Sequence, residues 1–235
     1  MSEGKTGKLE GNQALSDVGV AFATLVFIYS FAVVLTLNFR PLYYLYLSAV
    51  GWPELNMSPS EIMANYEALI AYNSIFFVGP LDFPTLDMSS NGRVHYEEVK
   101  RIFVVFQIAL AASVACLIPT LRAKLRRCRT VCLTIGGFAA IILAATIVVY
   151  LGLDWERFFV RFHETFFNND YWMFDAVVDP SILILPNGYF MACAVMIFCL
   201  VLGLSVVSII VARRGRTRRH IAGHFEGHNI SKRLN

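Results

Sequence analysis

Four stretches of this chain contain no Asp, Glu, Lys or Arg over about 20 residues or more, the length that crosses a bilayer core as a helix. They are residues 18–38, 102–121, 130–153 and 180–212. Charge bounds each one, at Asp17 and Arg40, Arg101 and Arg122, Arg129 and Asp154, and Asp179 and Arg213. The last stretch is too long for one span, and Pro186, Asn187 and Gly188 interrupt it, so its span is expected to start near Tyr189. Lipid offers backbone groups no hydrogen-bond partner, which makes the spans helical. The expected fold is therefore an all-α integral membrane protein with four transmembrane helices, at about 18–38, 102–121, 130–153 and 189–212. Residues 1–235 would form a single membrane domain. Composition points the same way: 57% of the chain is apolar and 16% charged, against about 45–50% and about 25% in soluble domains. The apolar stretch of the first window is too long for a signal peptide, and no small-residue cleavage site follows it before Arg40.

The basic residues set an expected orientation. The N-terminal segment, the 122–129 loop and the tail 213–235 hold 14 of the 20 Lys and Arg residues. Segments 40–101 and 154–179 hold 13 of the 17 acids and only six bases. Both termini and the short basic loop are thus expected on the cytoplasmic side, with the segments 40–101 and 154–188 facing outward. The basic tail reads as a topology signal beside an anionic leaflet and not as a nucleic-acid site.

The outward segments are too short for independent domains. The first opens with Tyr43, Tyr44, Tyr46 and Trp52, the kind of aromatics that gather at headgroup level. Ser58-Pro59-Ser60-Glu61 has the form of a capping box with Pro at the first helical position. Ile62, Tyr66, Leu69, Ile70, Asn73 and Phe77 continue that helix at helical spacing, and Gly79-Pro80 ends it. A polar turn, Met88-Ser89-Ser90-Asn91-Gly92, precedes the approach to the second span. In the second segment, apolar residues at 155, 158, 159, 162 and 166 form a helical stripe that Asn168-Asn169-Asp170 breaks. The first helix is expected to lie on the membrane surface or to pack on the bundle, and the second to lie at the membrane interface.

Five histidines and five cysteines are the main nucleophile and metal candidates. Outward serines such as Ser89 and Ser90 are paired with no base in the sequence, and there is no G-x-S-x-G elbow. His220 and His224 are four apart in the basic tail, with His228 beyond, but no thiol or carboxylate set accompanies them. His163-Glu164 lacks the second histidine of a zinc-protease motif, because position 167 is Phe. All five cysteines fall in spans or the cytoplasmic loop, so no outward disulfide or outward thiol nucleophile is available. His95 and His163 both fall on the outward side. Topology alone leaves two meanings open for them: interfacial histidines with satisfied hydrogen bonds, or a pair that titrates near neutral pH. Glu97, Glu98, Glu164 and Asp179 are near enough in sequence to orient them.

Two signatures resemble those of a known family. One is Phe162-His163-Glu164-Thr165-Phe166-Phe167, then Trp172, Asp179 and Leu185-Pro186-Asn187-Gly188-Tyr189-Phe190. The other is Asn65-Tyr66-Glu67-Ala68-Leu69, then Met88-Ser89 and His95-Tyr96-Glu97-Glu98-Val99-Lys100. In this order and with four spans they resemble the bacterial lipoprotein intramolecular transacylases. The chain departs from the family pattern at Tyr96, Glu98 and Asn187 and keeps both histidines. The resemblance implies a multi-pass cell-membrane enzyme that acts on diacylglyceryl-modified lipoproteins in the outer leaflet. It moves the sn-2 acyl chain to the α-amino group of the lipoprotein's own N-terminal Cys and leaves a lyso-form product.

Carried onto this chain, the resemblance makes His95 and His163 the catalytic residues. Lys100 would serve a developing oxyanion or a carboxylate, Glu98 and Asp179 would orient a histidine, and Tyr66 and Trp172 would line the site. Ester aminolysis needs one proton accepted and one donated, work that two imidazoles can share without a metal or other cofactor. The expected partners are diacylated lipoproteins and membrane lipid, with the protein a monomer. The alternative is a non-catalytic membrane protein that binds lipoproteins or lipids. Transport fits less well, since the second and third spans contain no Asp, Glu, Lys, Arg or His.

Overall fold

A computed structural model describes the backbone of residues 3–53, 56–126, 130–151 and 154–233, and side chains within 13–53, 56–124, 130–150 and 154–214. The described residues form helices and connecting turns, with no strand. In chain order the helices are α1 (Glu3–Asn38), α2 (Arg40–Val50), α3 (Pro59–Tyr72), α4 (Ser90–Arg126), α5 (Val131–Leu151), α6 (Trp155–Phe166), α7 (Ser181–Ile184) and α8 (Asn187–Arg233). Among the described residues, four segments are long and apolar enough to cross a membrane: Gln13–Asn38, Ser90–Lys124, Val131–Tyr150 and Asn187–Arg214. Each contains most of one charge-free window. The Ser90–Lys124 helix is longer than a bilayer core needs: 35 residues at about 1.5 Å each exceed the roughly 30 Å core by a wide margin. The side chains of His220, His224 and His228, and Cys128 altogether, lie outside the described residues.

The chain divides into two compact units. One takes the described residues up to Tyr29, Ala109–Ala144 and those from Leu200 onward. Its helices approach closely at glycines. A Cβ on Gly136 would stand 2.7 Å from the Ala21 carbonyl oxygen, and one on Gly137 would stand 3.0 Å from that of Ser205. Hydroxyls then bridge the helices: Tyr29 donates to the Ala140 carbonyl at 3.1 Å, Ser208 to Leu133 at 2.9 Å and Thr130 to Ala212 at 2.8 Å. Small residues with hydroxyl bridges are how helices associate where lipid gives no hydrophobic drive. Lys124 pairs with Asp17.

The other unit takes Ser30–Ile108 and Ala145–Cys199 and holds every residue of both signatures. Its core is aromatic. Tyr43 stacks on Tyr66 with centroids 4.0 Å apart, and Tyr189 meets Tyr43 edge-on at 5.0 Å. The hydroxyls of these three tyrosines are all used: Tyr43 donates to the Ile184 carbonyl at 2.6 Å, and the Tyr66 and Tyr189 hydroxyls share a 2.9 Å bond. Tyr43 therefore belongs to the core, while Tyr44 of the same aromatic run is half exposed. The capping box at Ser58 forms as the sequence suggests, with the Ser58 side chain accepting from Glu61 N and the Glu61 carboxylate accepting from Ser58 N. Asn65 fixes the chain that returns from α3: its amide donates to Thr85 Oγ1 at 2.6 Å and its carbonyl accepts from Thr85 N at 3.2 Å.

The close approach at Gly136 makes a testable contrast. Gly136→Ala is expected to destabilise the protein by about 1–3 kcal/mol through overpacking. Gly203→Ala, which meets nothing within 4 Å, is expected to be neutral or mildly stabilising. Unfolding midpoints of the two variants in one detergent check this.

Candidate active site

The site is built from the N-terminal part of α4, from α6 and from the turn that follows α6. The polar turn at Ser89–Gly92 is largely the first turn of α4, because a distant carboxylate completes its start. The buried Asp179 side chain accepts from Ser89 N at 2.8 Å and from the Ser89 hydroxyl at 2.7 Å, across 90 positions of sequence. The Ser89 hydroxyl in turn accepts from Gly92 N at 2.9 Å. Gly92 is required by this arrangement, since a Cβ there would run into the Asp179 carboxylate. One turn further along α4 stands His95. The adjacent Tyr96 donates to the Ser181 hydroxyl at 2.7 Å, which locks the helix in rotation.

Helix α6 starts at the Asp154 N-cap, where the side chain accepts from Arg157 N. His163 sits in its last turn. His95 and His163 are both at least nine-tenths buried, with ring centroids 6.0 Å apart and planes 36° apart. Aromatic rings enclose them. Phe167 lies 4.8 Å and Phe174 5.4 Å from His95, each edge-on. Trp172 stacks on His163 at 4.7 Å, and Phe159 lies 4.1 Å from the same ring.

The two imidazoles differ in how they are held. His163 Nδ1 is 2.7 Å from the Phe159 carbonyl oxygen. A carbonyl only accepts, so Nδ1 carries the hydrogen and a neutral ring presents its lone pair at Nε2. Burial lowers the His163 pKa below the usual 6.5, and the bond to Phe159 opposes that shift in part. His95 Nδ1, by contrast, is buried with no hydrogen-bond partner. In a neutral ring, a proton on Nε2 leaves Nδ1 as an acceptor and not as an unpaired donor, and Nε2 is then a donor. Neither histidine matches the simple picture of an interfacial ring with both nitrogens satisfied.

The other singled-out residues fall at varied distances from this pair. Trp172 is in contact with it. Glu98 accepts from the Asn169 side-chain amide at 3.0 and 3.2 Å, and Asn169 Oδ1 accepts from Tyr171 N, so Glu98 shapes the turn that delivers Trp172. Asp179 holds the start of α4. Lys100 donates to the Phe77 carbonyl at 3.0 Å, with its ammonium 4.2 Å from the Tyr72 ring centre. Tyr66 is in the tyrosine core. Among the described residues, none of Glu98, Lys100, Asp179 or Tyr66 is hydrogen-bonded to either histidine, and no three His, Cys, Asp or Glu side chains are grouped to hold a metal ion. Sequence reasoning did not single out Phe159, Phe167 and Phe174 as walls of the site. Phe159 lies in the apolar stripe of α6 and Phe167 in one signature, and the density of aromatics from 158 to 174 is a further signal for all three.

The family model described as Lipoprotein intramolecular transacylase Lit matches residues 18–190. The chain belongs to that family. It is similar to the in meso structure of the membrane integral lipoprotein intramolecular transacylase Lit from Bacillus cereus, with 32% identity and a TM-score of 0.85 over 90% of this chain and 99% of that one. A second structure of the Bacillus cereus protein, with one histidine replaced by arginine, gives 31% identity and a TM-score of 0.82 over 94% of this chain and 100% of that one. A third, with a histidine replaced by alanine, gives 31% and 0.81 over 92% and 99%. No curated protein matches the chain. Family membership makes this an integral membrane acyltransferase and sets aside the non-catalytic alternative.

Two outcomes follow from the geometry. Asp179→Ala is expected to cost about 1–3 kcal/mol by removing buried hydrogen bonds. Gly92→Ala should cost less in the Asp179→Ala background than in the parent, because the obstructing carboxylate is gone. Stability measurements on the four proteins of this cycle check both. For His163, nitrogen NMR is expected to show the Nδ1-protonated ring with a titration midpoint below 6.5. Its pKa is depressed on folding, so the unfolded chain binds the proton more tightly. Its contribution to stability is present above 6.5 and declines as the pH falls from there through the folded pKa.

Proposed function

We propose that the protein transfers the sn-2 acyl chain of a diacylglyceryl lipoprotein to the α-amino group of that lipoprotein's N-terminal Cys, with His163 as general base and His95 as hydrogen-bond donor and acid. The observation that carries this assignment is the opposed setting of the two buried imidazoles. His163 Nδ1 is committed to the Phe159 carbonyl, and His95 Nδ1 has no partner.

In the reaction the substrate amine attacks the sn-2 ester carbonyl. A nitrogen–carbon bond forms and the bond from the acyl carbon to the glycerol oxygen breaks. His163 Nε2 takes the proton that the amine loses. The Nε2–H of His95 donates first to the carbonyl oxygen, as it gains charge, and then to the departing glycerol oxygen. A proton passed from His163 restores the pair, so nothing is consumed. Proton transfer by placed side chains contributes typically about 10²–10⁴-fold. Donor and acceptor belong to one substrate, so the walls formed by Phe159, Phe167, Trp172 and Phe174 contribute by holding both ends together and keeping water out.

The placement we propose has both termini on the cytoplasmic side and the histidine pair on the outward side, supported by the Lys and Arg bias of the connecting segments. Helix α6 would lie at the interface, the protein would act as a monomer, and its substrates would reach the site from the outer leaflet. Trp172 would contact substrate. Glu98 and Asp179 would act as positioning residues, through the Trp172 turn and the start of α4 respectively.

The test is co-expression with a reporter lipoprotein in a host that leaves lipoproteins diacylated, followed by fragmentation mass spectrometry of the N-terminal lipopeptide. The parent protein should yield one amide-linked chain and a free sn-2 hydroxyl. His95→Ala and His163→Ala should each lower the yield by about 10²-fold or more. A normal yield from either folded variant would remove that residue from the mechanism.

A further inference from the structure

The turn after α3 carries two apolar side chains with almost no protein around them. Phe76 is 90% and Val78 94% exposed. The turn itself is well fixed. Ile75 N donates to Gln107 Oε1 at 3.0 Å, and Gln107 Nε2 donates to the Asn73 carbonyl at 2.8 Å. Phe76 N donates to the Ser74 hydroxyl at 3.2 Å, Phe77 N to the Ser74 carbonyl at 3.1 Å and Lys100 Nζ to the Phe77 carbonyl at 3.0 Å. Gly79 closes it at φ +117°, a conformation that L side chains rarely adopt.

The partners of this turn give its depth. Lys100 and Arg101 are the last charges before the apolar run of α4, and Gln107 stands six positions beyond Arg101. At about 1.5 Å per residue, Gln107 is roughly 9 Å into the uncharged part of the helix. The amide of Gln107 and the ammonium of Lys100 grip the two ends of the same turn, so the turn lies alongside that stretch of α4. Irregular backbone at such a depth needs its polar groups satisfied by protein. Gln107 meets that need at Ile75 N and Asn73 O. Lys100 meets it at Phe77 O while its ammonium rests over the Tyr72 and Phe77 rings, at 4.2 and 5.0 Å from their centres.

We propose that the 75–78 turn is a lipid-immersed tip, with Phe76 and Val78 inserted among the acyl chains of the leaflet on the histidine side and Lys100 held at its headgroup boundary. The partner is the acyl layer of the bilayer itself. The inference rests on the membrane-spanning character of α4 and not on the roles of the histidines, so failure of either leaves the other standing.

The experiment uses the full-length protein in phosphatidylcholine vesicles with and without bromine on the lipid acyl chains. Phe76→Trp and Val78→Trp are made separately, with Ser60→Trp, at an exposed position in the first turn of α3, as the water-facing reference. Emission added over the parent protein is compared under bromolipid and under aqueous iodide. Blue-shifted emission at 76 or 78, quenched mainly by bromolipid, with the reverse pattern at 60, is the expected result. Emission at both tip positions that matches position 60 and yields to iodide alone would overturn the proposal. A single symmetrical size-exclusion peak and the parent's circular dichroism certify the fold of each variant, and where only one tip variant folds, that position alone decides the question.

Discussion

The carboxylate of Asp179 is the contact on which the site depends. It reaches back 90 residues to Ser89 and completes the first turn of α4. That turn sets the rotation of the helix, and with it the direction of His95 one turn later. The Tyr96–Ser181 hydroxyl bond reinforces the same orientation from the segment just after Asp179. The two long connecting segments therefore form one body at the place where the histidines meet. Gly92 is the sequence cost of that join, since only a residue without a side chain fits against the carboxylate.

The chemistry we propose rests on two imidazoles surrounded by apolar rings. Burial disfavours the imidazolium and keeps His163 neutral near pH 7, as a proton acceptor needs. A carboxylate on His163 would have raised its proton affinity and favoured the charged form. The backbone carbonyl of Phe159 orients the ring and adds no full charge. The opposite case holds at His95, whose buried nitrogen gives up a partner and so directs the remaining N–H elsewhere. An unsatisfied polar atom is costly in a dry interior, and its retention beside His163 is what an active site would require.

Much of this was legible in the sequence, for identifiable reasons. Charge-free runs of span length have few solutions in lipid, so four membrane helices followed directly. The capping box at Ser58 is a local device and appeared as written. What was not legible was long-range. The residues Met88–Gly92 look like a loop until Asp179 supplies the missing acceptor. Glu98 and Asp179 look like histidine partners by proximity in sequence, yet their bonds go to Asn169 and Ser89. Lys100 follows His95 by five residues and still turns to the Phe77 carbonyl, because helical rotation separates them. The tautomers of the two histidines depend on one carbonyl and one empty contact, and no spacing rule encodes either.

The central claim is that His163 faces the attacking amine and His95 the ester. A structure of the protein with a lipopeptide whose sn-2 ester is replaced by an unreactive amide addresses it most directly. The account predicts the α-amino nitrogen within hydrogen-bonding distance of His163 Nε2 and the sn-2 carbonyl oxygen within that distance of His95 Nε2. The reverse pairing, or an sn-2 carbonyl remote from both rings, would contradict it.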